Sequence, residues 1–285
     1  MEEIRIETPT LDFDAVRAGD GDRYAVLFHG FPDDPRGFVS LMERLADAGY
    51  TAVAPYMRGY GGTETPPLEP SNYSVTALGG DVIAVLNALG ADDPLVVGHD
   101  WGAVAVTAVC RLDPSLVGEA VVAAVPPNVV EVFDEYPSQV MRSWYMTFFQ
   151  IPGLAEETLR REDFALLERL WSTWSPDWNY GDRVEEVKET FREGDTVEAA
   201  LLYYRAFFDD VLSRPPGSMR VRGIEVPTLL VAGRNDGCIT SAAFEDATKC
   251  YDGRAELEVL NGAGHFVHAE KPDEVAKRVL EFTEI

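Results

Sequence analysis

Two short segments near the start of the chain alternate apolar and polar residues: Ile4-Arg5-Ile6-Glu7 and Leu11-Asp12-Phe13-Asp14-Ala15-Val16. A period of two predicts strands with one wet face. After the turn at Gly19-Asp20-Gly21-Asp22 the pattern changes. Residues 24–28, 51–56, 94–97, 120–125, 228–232 and 255–260 are short, mostly apolar runs. Such runs predict strands buried on both faces, as in a parallel sheet covered by helices. Helical periodicity fills the gaps. Residues 38–48 put Leu41, Leu45 and Ala48 on one face and stop at Gly49; residues 75–89 stop at Gly90. Further helices are predicted at 103–110, near 241–250 and at 273–282.

The alternation breaks at Pro126-Pro127-Asn128. From Val129 to Pro216 there is no β-run, only helical segments dense in aromatic residues, among them Trp144, Trp171, Trp174 and Trp178. The chain therefore reads as an α/β fold, a mostly parallel sheet flanked by helices. Residues 1–128 and 217–285 form its core, and 129–216 form an inserted helical cap. A cap at that position covers the carboxyl edge of the sheet, where open α/β sheets bind ligands.

Composition narrows the picture. Apolar residues make up 46% of the chain, a globular rather than a disordered content. No apolar stretch has membrane-spanning length, and the Met-Glu-Glu-Ile-Arg start lacks the apolar core of a signal peptide. A cytoplasmic location and no membrane partner are expected. The formal net charge is −25, and lysine is confined to Lys188, Lys249, Lys271 and Lys277. So acidic a surface disfavours nucleic acid and anionic lipid. It suits a salt-rich, halophilic cytoplasm, where the screening length falls to roughly 3 Å at molar salt. Cys110, Cys238 and Cys250 lack metal-ligand spacing, so neither a disulfide framework, a metal site nor a cofactor is expected. A monomer or a homodimer is compatible with this composition.

The candidate chemistry starts at Gly98-His99-Asp100-Trp101-Gly102. A β-branched run leads into Gly-x-Asp-x-Gly, and a small-residue helix comes next. That is the layout of a strand-to-helix elbow, which lifts one side chain above the sheet edge. The flanking glycines leave room for the tight turn. The raised residue is Asp100, where a serine would give acyl transfer. A carboxylate is instead a nucleophile toward saturated electrophilic carbon, and it leaves an ester on the enzyme. A base and an acid should lie at later strand ends. Asp236, in Gly233-Arg234-Asn235-Asp236-Gly237, is the acid candidate, with Glu131 as its rival. His265, in Gly262-Ala263-Gly264-His265-Phe266, is the base candidate. His99 precedes the nucleophile, so its side chain should point away from the site. The backbone amides of Trp101 and of Phe31, in His29-Gly30-Phe31-Pro32, are the expected oxyanion donors.

His-Gly-Phe-Pro, Gly-His-Asp-Trp-Gly and Gly-Ala-Gly-His-Phe-Val together resemble the soluble epoxide hydrolases of the α/β-hydrolase fold, over nearly the whole chain from about Tyr24. Haloalkane dehalogenases are relatives with the same Asp–His–acid logic. Fluoroacetate dehalogenases are similar too, but carry arginine where Trp101 stands. The resemblance implies two cap tyrosines that hydrogen-bond the epoxide oxygen. One lies shortly before Phe149-Gln150-Ile151-Pro152-Gly153, which matches Tyr145; the other matches Tyr204 in Tyr203-Tyr204-Arg205. A phenol can pass a proton to a leaving alkoxide, whereas halide needs none and is held by indole or amide N–H groups. Val125-Pro126-Pro127 and Tyr56 depart from the residues many relatives carry. His29, Pro32, Trp144 and Phe149 are expected to line the pocket of a small apolar epoxide, which reacts with water to give a vicinal diol. The alternatives are a haloalkane dehalogenase and, in a different class, a non-catalytic protein that holds an apolar ligand.

Overall fold

A computed structural model describes residues 1–215 and 220–283. The eight strands are β1 (Glu2–Ile6), β2 (Phe13–Ala18), β3 (Arg23–Phe28), β4 (Tyr50–Pro55), β5 (Leu95–His99), β6 (Glu119–Ala123), β7 (Thr228–Gly233) and β8 (Ala255–Leu260). They form one sheet in the order β1-β2-β4-β3-β5-β6-β7-β8. β1 and β2 pair antiparallel at one edge, β2 also antiparallel with β4, and every pairing from β4 to β8 is parallel. The alternating segments β1 and β2 thus lie at one edge and the half-buried β8 at the other, with the buried runs between them.

The period of two decides which side of the sheet each residue serves. Val26, Phe28, Val96, Val122 and Leu230 join a core with α2 (Val75–Leu89) and α3 (Trp101–Leu112). Ala25, Leu27, Leu95, Val97, Val121 and Leu229 join a second core on the opposite face, with α1 (Val39–Asp47) and the C-terminal helix at Pro272–Phe282. Gly90, in the left-handed region at φ 61°, ends α2 as predicted. The helix expected near 241–250 is instead two 3-10 turns, Ser241–Phe244 and Ala247–Cys250. Phe244, Ala247 and Cys250 are all buried. Ala247 and Cys250, three apart, lie on one side of the second turn, as a period of three requires.

Between β6 and β7 the chain is helical: α4 (Val129–Glu135), α5 (Ser138–Arg142), α6 (Trp144–Phe148), α7 (Leu154–Trp174), α8 (Arg183–Arg192) and α9 (Thr196–Ser213). α7 changes direction at residues 161–164, where Glu162, Asp163 and Phe164 take left-handed φ. The expected boundary at 216/217 lies outside the described residues. After β8 come α10 (Val267–Glu270) and α11 (Pro272–Phe282). No described helix is long and apolar enough to cross a membrane.

The helical segment is bolted to the core near the sheet's carboxyl edge. Arg183 of α8 pairs with Asp33 and Asp34 at 2.5 and 2.7 Å. Trp171 of α7 donates its indole N–H to the Pro32 carbonyl at 2.8 Å. The carbonyl of Trp174, at the end of α7, accepts from the amides of both Gly237 and His265, at 3.0 and 3.1 Å. Gly237 and Gly264 make this approach possible: a Cβ on either would sit 2.0 Å from the Thr173 carbonyl or 2.5 Å from the Ser175 Cα.

Candidate active site

The elbow depends on two glycines. A Cβ on Gly98 would lie 2.3 Å from the Gly102 carbonyl oxygen, and one on Gly102 would lie 1.9 Å from that of Phe28. Between them Asp100 is held at φ 52°, ψ −115°. A non-glycine residue in that region costs about 1–3 kcal/mol, which the packing of β5 and α3 must offset. The result is a carboxylate raised over the carboxyl end of β5. A Cβ on Gly30 would strike its Oδ1 at 2.4 Å, so Gly30 lets the Phe31 turn close over it.

The two carboxylate oxygens have different surroundings. Oδ1 accepts the Phe31 amide at 2.7 Å. Oδ2 lies 3.6 Å from His265 Nε2, which is buried and has no hydrogen-bond partner among the described residues. On its other side His265 Nδ1 meets Asp236 Oδ2 at 2.9 Å. Asp236 is itself fixed, since its Oδ1 accepts the amides of Cys238 and Ile239 at 2.6 and 2.9 Å. Burial disfavours a charged imidazole. The carboxylates of Asp236 and Asp100 outweigh it and raise His265 to about 10. Glu131, the rival acid, is engaged elsewhere by Arg222 at 2.9 Å.

A cavity of about 40 Å³ adjoins Asp100, lined also by Trp101, Tyr145, Met146, Tyr204 and Cys238, among others. Both predicted tyrosines therefore line one cavity with Asp100, their ring centroids 5.7 Å apart. The Tyr145 hydroxyl has the Cys238 thiol at 3.3 Å. The Tyr204 hydroxyl is buried with no hydrogen-bond partner among the described residues. Burial, with the nearby Asp100 charge adding to it, pushes both phenols well above their ordinary range. Each stays protonated and available as a donor. Tyr203, next in sequence, points elsewhere and donates to the Arg58 carbonyl at 2.9 Å.

The expected pocket residues need correction. His29 is fully buried and spent on backbone: its Nε2 accepts the Met57 amide at 3.0 Å and its Nδ1 lies 3.1 Å from the Gly30 carbonyl. Pro32 does not line the cavity over Asp100, and its carbonyl serves Trp171. Trp144 is 46% exposed and faces outward. Phe149 stands behind the cavity, packed on the rings of Phe31, Tyr145 and Tyr204. None of Trp144, Trp171, Trp174 and Trp178 lines this cavity. The side chains that do, such as Val104, Val129, Phe207 and Ile239, carry no chemical signal in the sequence. Cys238 is marked in the sequence only as an unpaired cysteine, and its place two residues after the acid is the one available clue. His99 does point away from Asp100. Its Nε2 lies 3.0 Å from the His265 carbonyl.

Known proteins share this fold. The model of the alpha/beta hydrolase fold family matches residues 26–272. The AB hydrolase superfamily protein YfhM of Bacillus subtilis is 29% identical over 261 residues, covering 90% of this chain and 88% of that protein. Epoxide hydrolase A of Mycobacterium tuberculosis is 29% identical over 314 residues, covering 97% and 95%. Among solved structures, epoxide hydrolase I of potato (Solanum tuberosum) is similar with a TM-score of 0.82 and 28% identity, over 99% of each chain.

Proposed function

The chain belongs to the alpha/beta hydrolase fold family, and from that premise we propose that it is an epoxide hydrolase working through an ester on Asp100. The observation that carries this reading is the pair of protonated phenols, Tyr145 and Tyr204, lining one cavity with an aspartate nucleophile. Strained C–O bonds need such donors, because an alkoxide is a poor leaving group without a proton. A halide site would pair the Trp101 indole with a second one from the helical segment; Trp174 packs on Tyr145 and His265 but does not line this cavity. Resemblance to the named epoxide hydrolases supports the same choice.

Asp100 Oδ2 attacks an oxirane carbon, the C–O bond breaks, and a tyrosine passes its proton to the alkoxide. The charge balance around His265 then governs hydrolysis of the ester. In the free enzyme two carboxylates keep the imidazole protonated. Esterification removes the Asp100 charge, so burial then opposes Asp236 alone and the His265 pKa falls. The proton that His265 gives up balances the one the tyrosine has lost. His265, now neutral and oriented by Asp236, takes a proton from water, and the hydroxide adds to Cγ of Asp100. The Phe31 and Trp101 amides hold the oxyanion. Its collapse breaks the ester, and the leaving alkoxide takes the proton of the newly added hydroxyl; the vicinal diol departs, Asp100 is again a carboxylate, and His265 keeps its proton as in the resting state.

Single-turnover hydrolysis of styrene oxide in labelled water tests this. The first-turnover diol should take its new oxygen from Asp100, and solvent label in that first diol would overturn the ester route. His265→Gln should stop turnover with the ester accumulated, visible as a mass increase on the peptide containing Asp100.

A further inference from the structure

Cys238 lines the cavity over Asp100 and takes no part in the ester chemistry. Its sulfur lies 3.3 Å from the Tyr145 hydroxyl. The residue is buried and its backbone is fixed on both sides. The amide donates to Asp236 Oδ1 at 2.6 Å, and the carbonyl accepts from the Gln139 side chain of α5, also at 2.6 Å. The acid loop and α5 thus hold the sulfur against the phenol. Burial first, then the charges of Asp236 and Asp100, push the thiol well above its ordinary range. It keeps its proton and is no nucleophile. The two phenols are therefore not equivalent. The Tyr204 hydroxyl is buried in the same cavity with no hydrogen-bond partner among the described residues. The Trp101 ring stands edge-on to Tyr204, centroids 5.1 Å apart, but makes no hydrogen bond to that hydroxyl.

We propose that Tyr145 is the phenol that gives its proton to the alkoxide, and that Cys238 is its positioning residue, donating S–H to the phenolic oxygen. The inference rests on the epoxide hydrolase reading and divides the work between its two tyrosines. As the oxirane C–O bond breaks, the Tyr145 proton passes to the epoxide oxygen. The electron pair of the O–H bond stays on Tyr145, and the Cys238 S–H donates to the oxygen that has become negative. No proton leaves the sulfur. Tyr204 keeps its proton and holds the same epoxide oxygen through a neutral hydrogen bond. In a chain S–H···O–H···O each bond polarises the next, so the bond to the epoxide is strengthened. A thiol is a weak donor to a neutral oxygen, and a stronger one once its acceptor is an anion. The Cys238 contact is therefore tighter in the transition state than in the resting enzyme, the condition for lowering a barrier.

Single turnover of styrene oxide by quench-flow, with the ester read as the mass increase on the peptide containing Asp100, separates ester formation from ester hydrolysis. Cys238→Ala should slow formation by roughly three- to tenfold, the range of one hydrogen bond, and leave hydrolysis at the parent rate. Cys238→Ser keeps a donor at the same place and should recover most of the loss. The loss should persist in a Tyr204→Phe background and disappear in a Tyr145→Phe background, the pairwise coupling that a double-mutant cycle isolates. A Cys238 that only shapes the acid loop would slow hydrolysis instead, because Asp236 orients His265. That outcome, or a loss that survives Tyr145→Phe, overturns the proposal. If the parent forms the ester and Cys238→Ala keeps pace with it, the role of Cys238 alone fails. If the parent forms no ester at all, the epoxide hydrolase reading fails and the role of Cys238 with it.

Discussion

His265 carries its charge because of where two carboxylates sit. The imidazole lies between Asp100 and Asp236, and its pKa is raised to about 10. The stabilisation this gives is fully present below the unfolded value near 6.5 and is lost as pH rises toward 10. His265→Gln should therefore cost several kcal/mol near pH 6, roughly 3–5 for stranding two buried carboxylates, and progressively less toward pH 10. Urea unfolding across that range is the measurement. The tyrosines separate differently. The Tyr204 hydroxyl has no hydrogen bond to lose, so Tyr204→Phe should leave the melting temperature nearly unchanged. It should lower kcat on styrene oxide by roughly 10- to 100-fold, and steady-state kinetics beside a thermal melt reads both. At this scale the sequence is informative where chemistry needs a rare residue in a tight turn. Asp100, Asp236 and His265 each lie in a glycine-marked turn after a strand, and the structure brings them together. His29, Pro32, Trp144 and Phe149 lie beside motif residues in sequence, yet none lines the cavity over Asp100. Which side chain faces a cavity depends on how helices pack, and no local pattern encodes that.

The strands are legible because burial on both faces leaves a continuous apolar run, and the helices α1, α2 and α11 because burial on one face leaves a period near 3.6. The 3-10 turns at Ser241–Phe244 and Ala247–Cys250 are not, since a spacing of three over ten residues differs little from a helical one. The ion pairs that tie α8 to the core are also invisible in the sequence, because Asp33 and Asp34 lie about 150 positions from Arg183. Burial alone would raise the Asp34 carboxyl, yet Arg183 and Arg36 hold it down to about 2. That stabilisation is present above the unfolded value of 3.8 and is lost as pH falls toward 2. Arg183→Met leaves Asp34 with Arg36 and Asp33 with His268, and should cost about 1–3 kcal/mol at neutral pH. The difference from the parent in urea unfolding should narrow as pH falls from 3.8 toward 2 and the Asp34 carboxyl protonates.

Across the whole molecule the dominant quantity is the net charge of −25. Many carboxylates are paired with arginine, yet the excess repels itself at low ionic strength. Raising KCl from about 0.1 to about 2 M shortens the screening length toward roughly 3 Å and should raise the melting temperature. A flat or falling melting curve over that range would count against salt adaptation. The end of α7 also acts across the whole molecule. One carbonyl, that of Trp174, receives the backbone amides of both the acid loop and the base loop. The end of α7 thus acts as a gauge block that sets the gap between Asp236 and His265. On the proposed mechanism, a swing of that end would take Asp236 and His265 out of alignment. Loss of that one contact should appear as a slower hydrolytic half-reaction, with alkylation of Asp100 the less affected step.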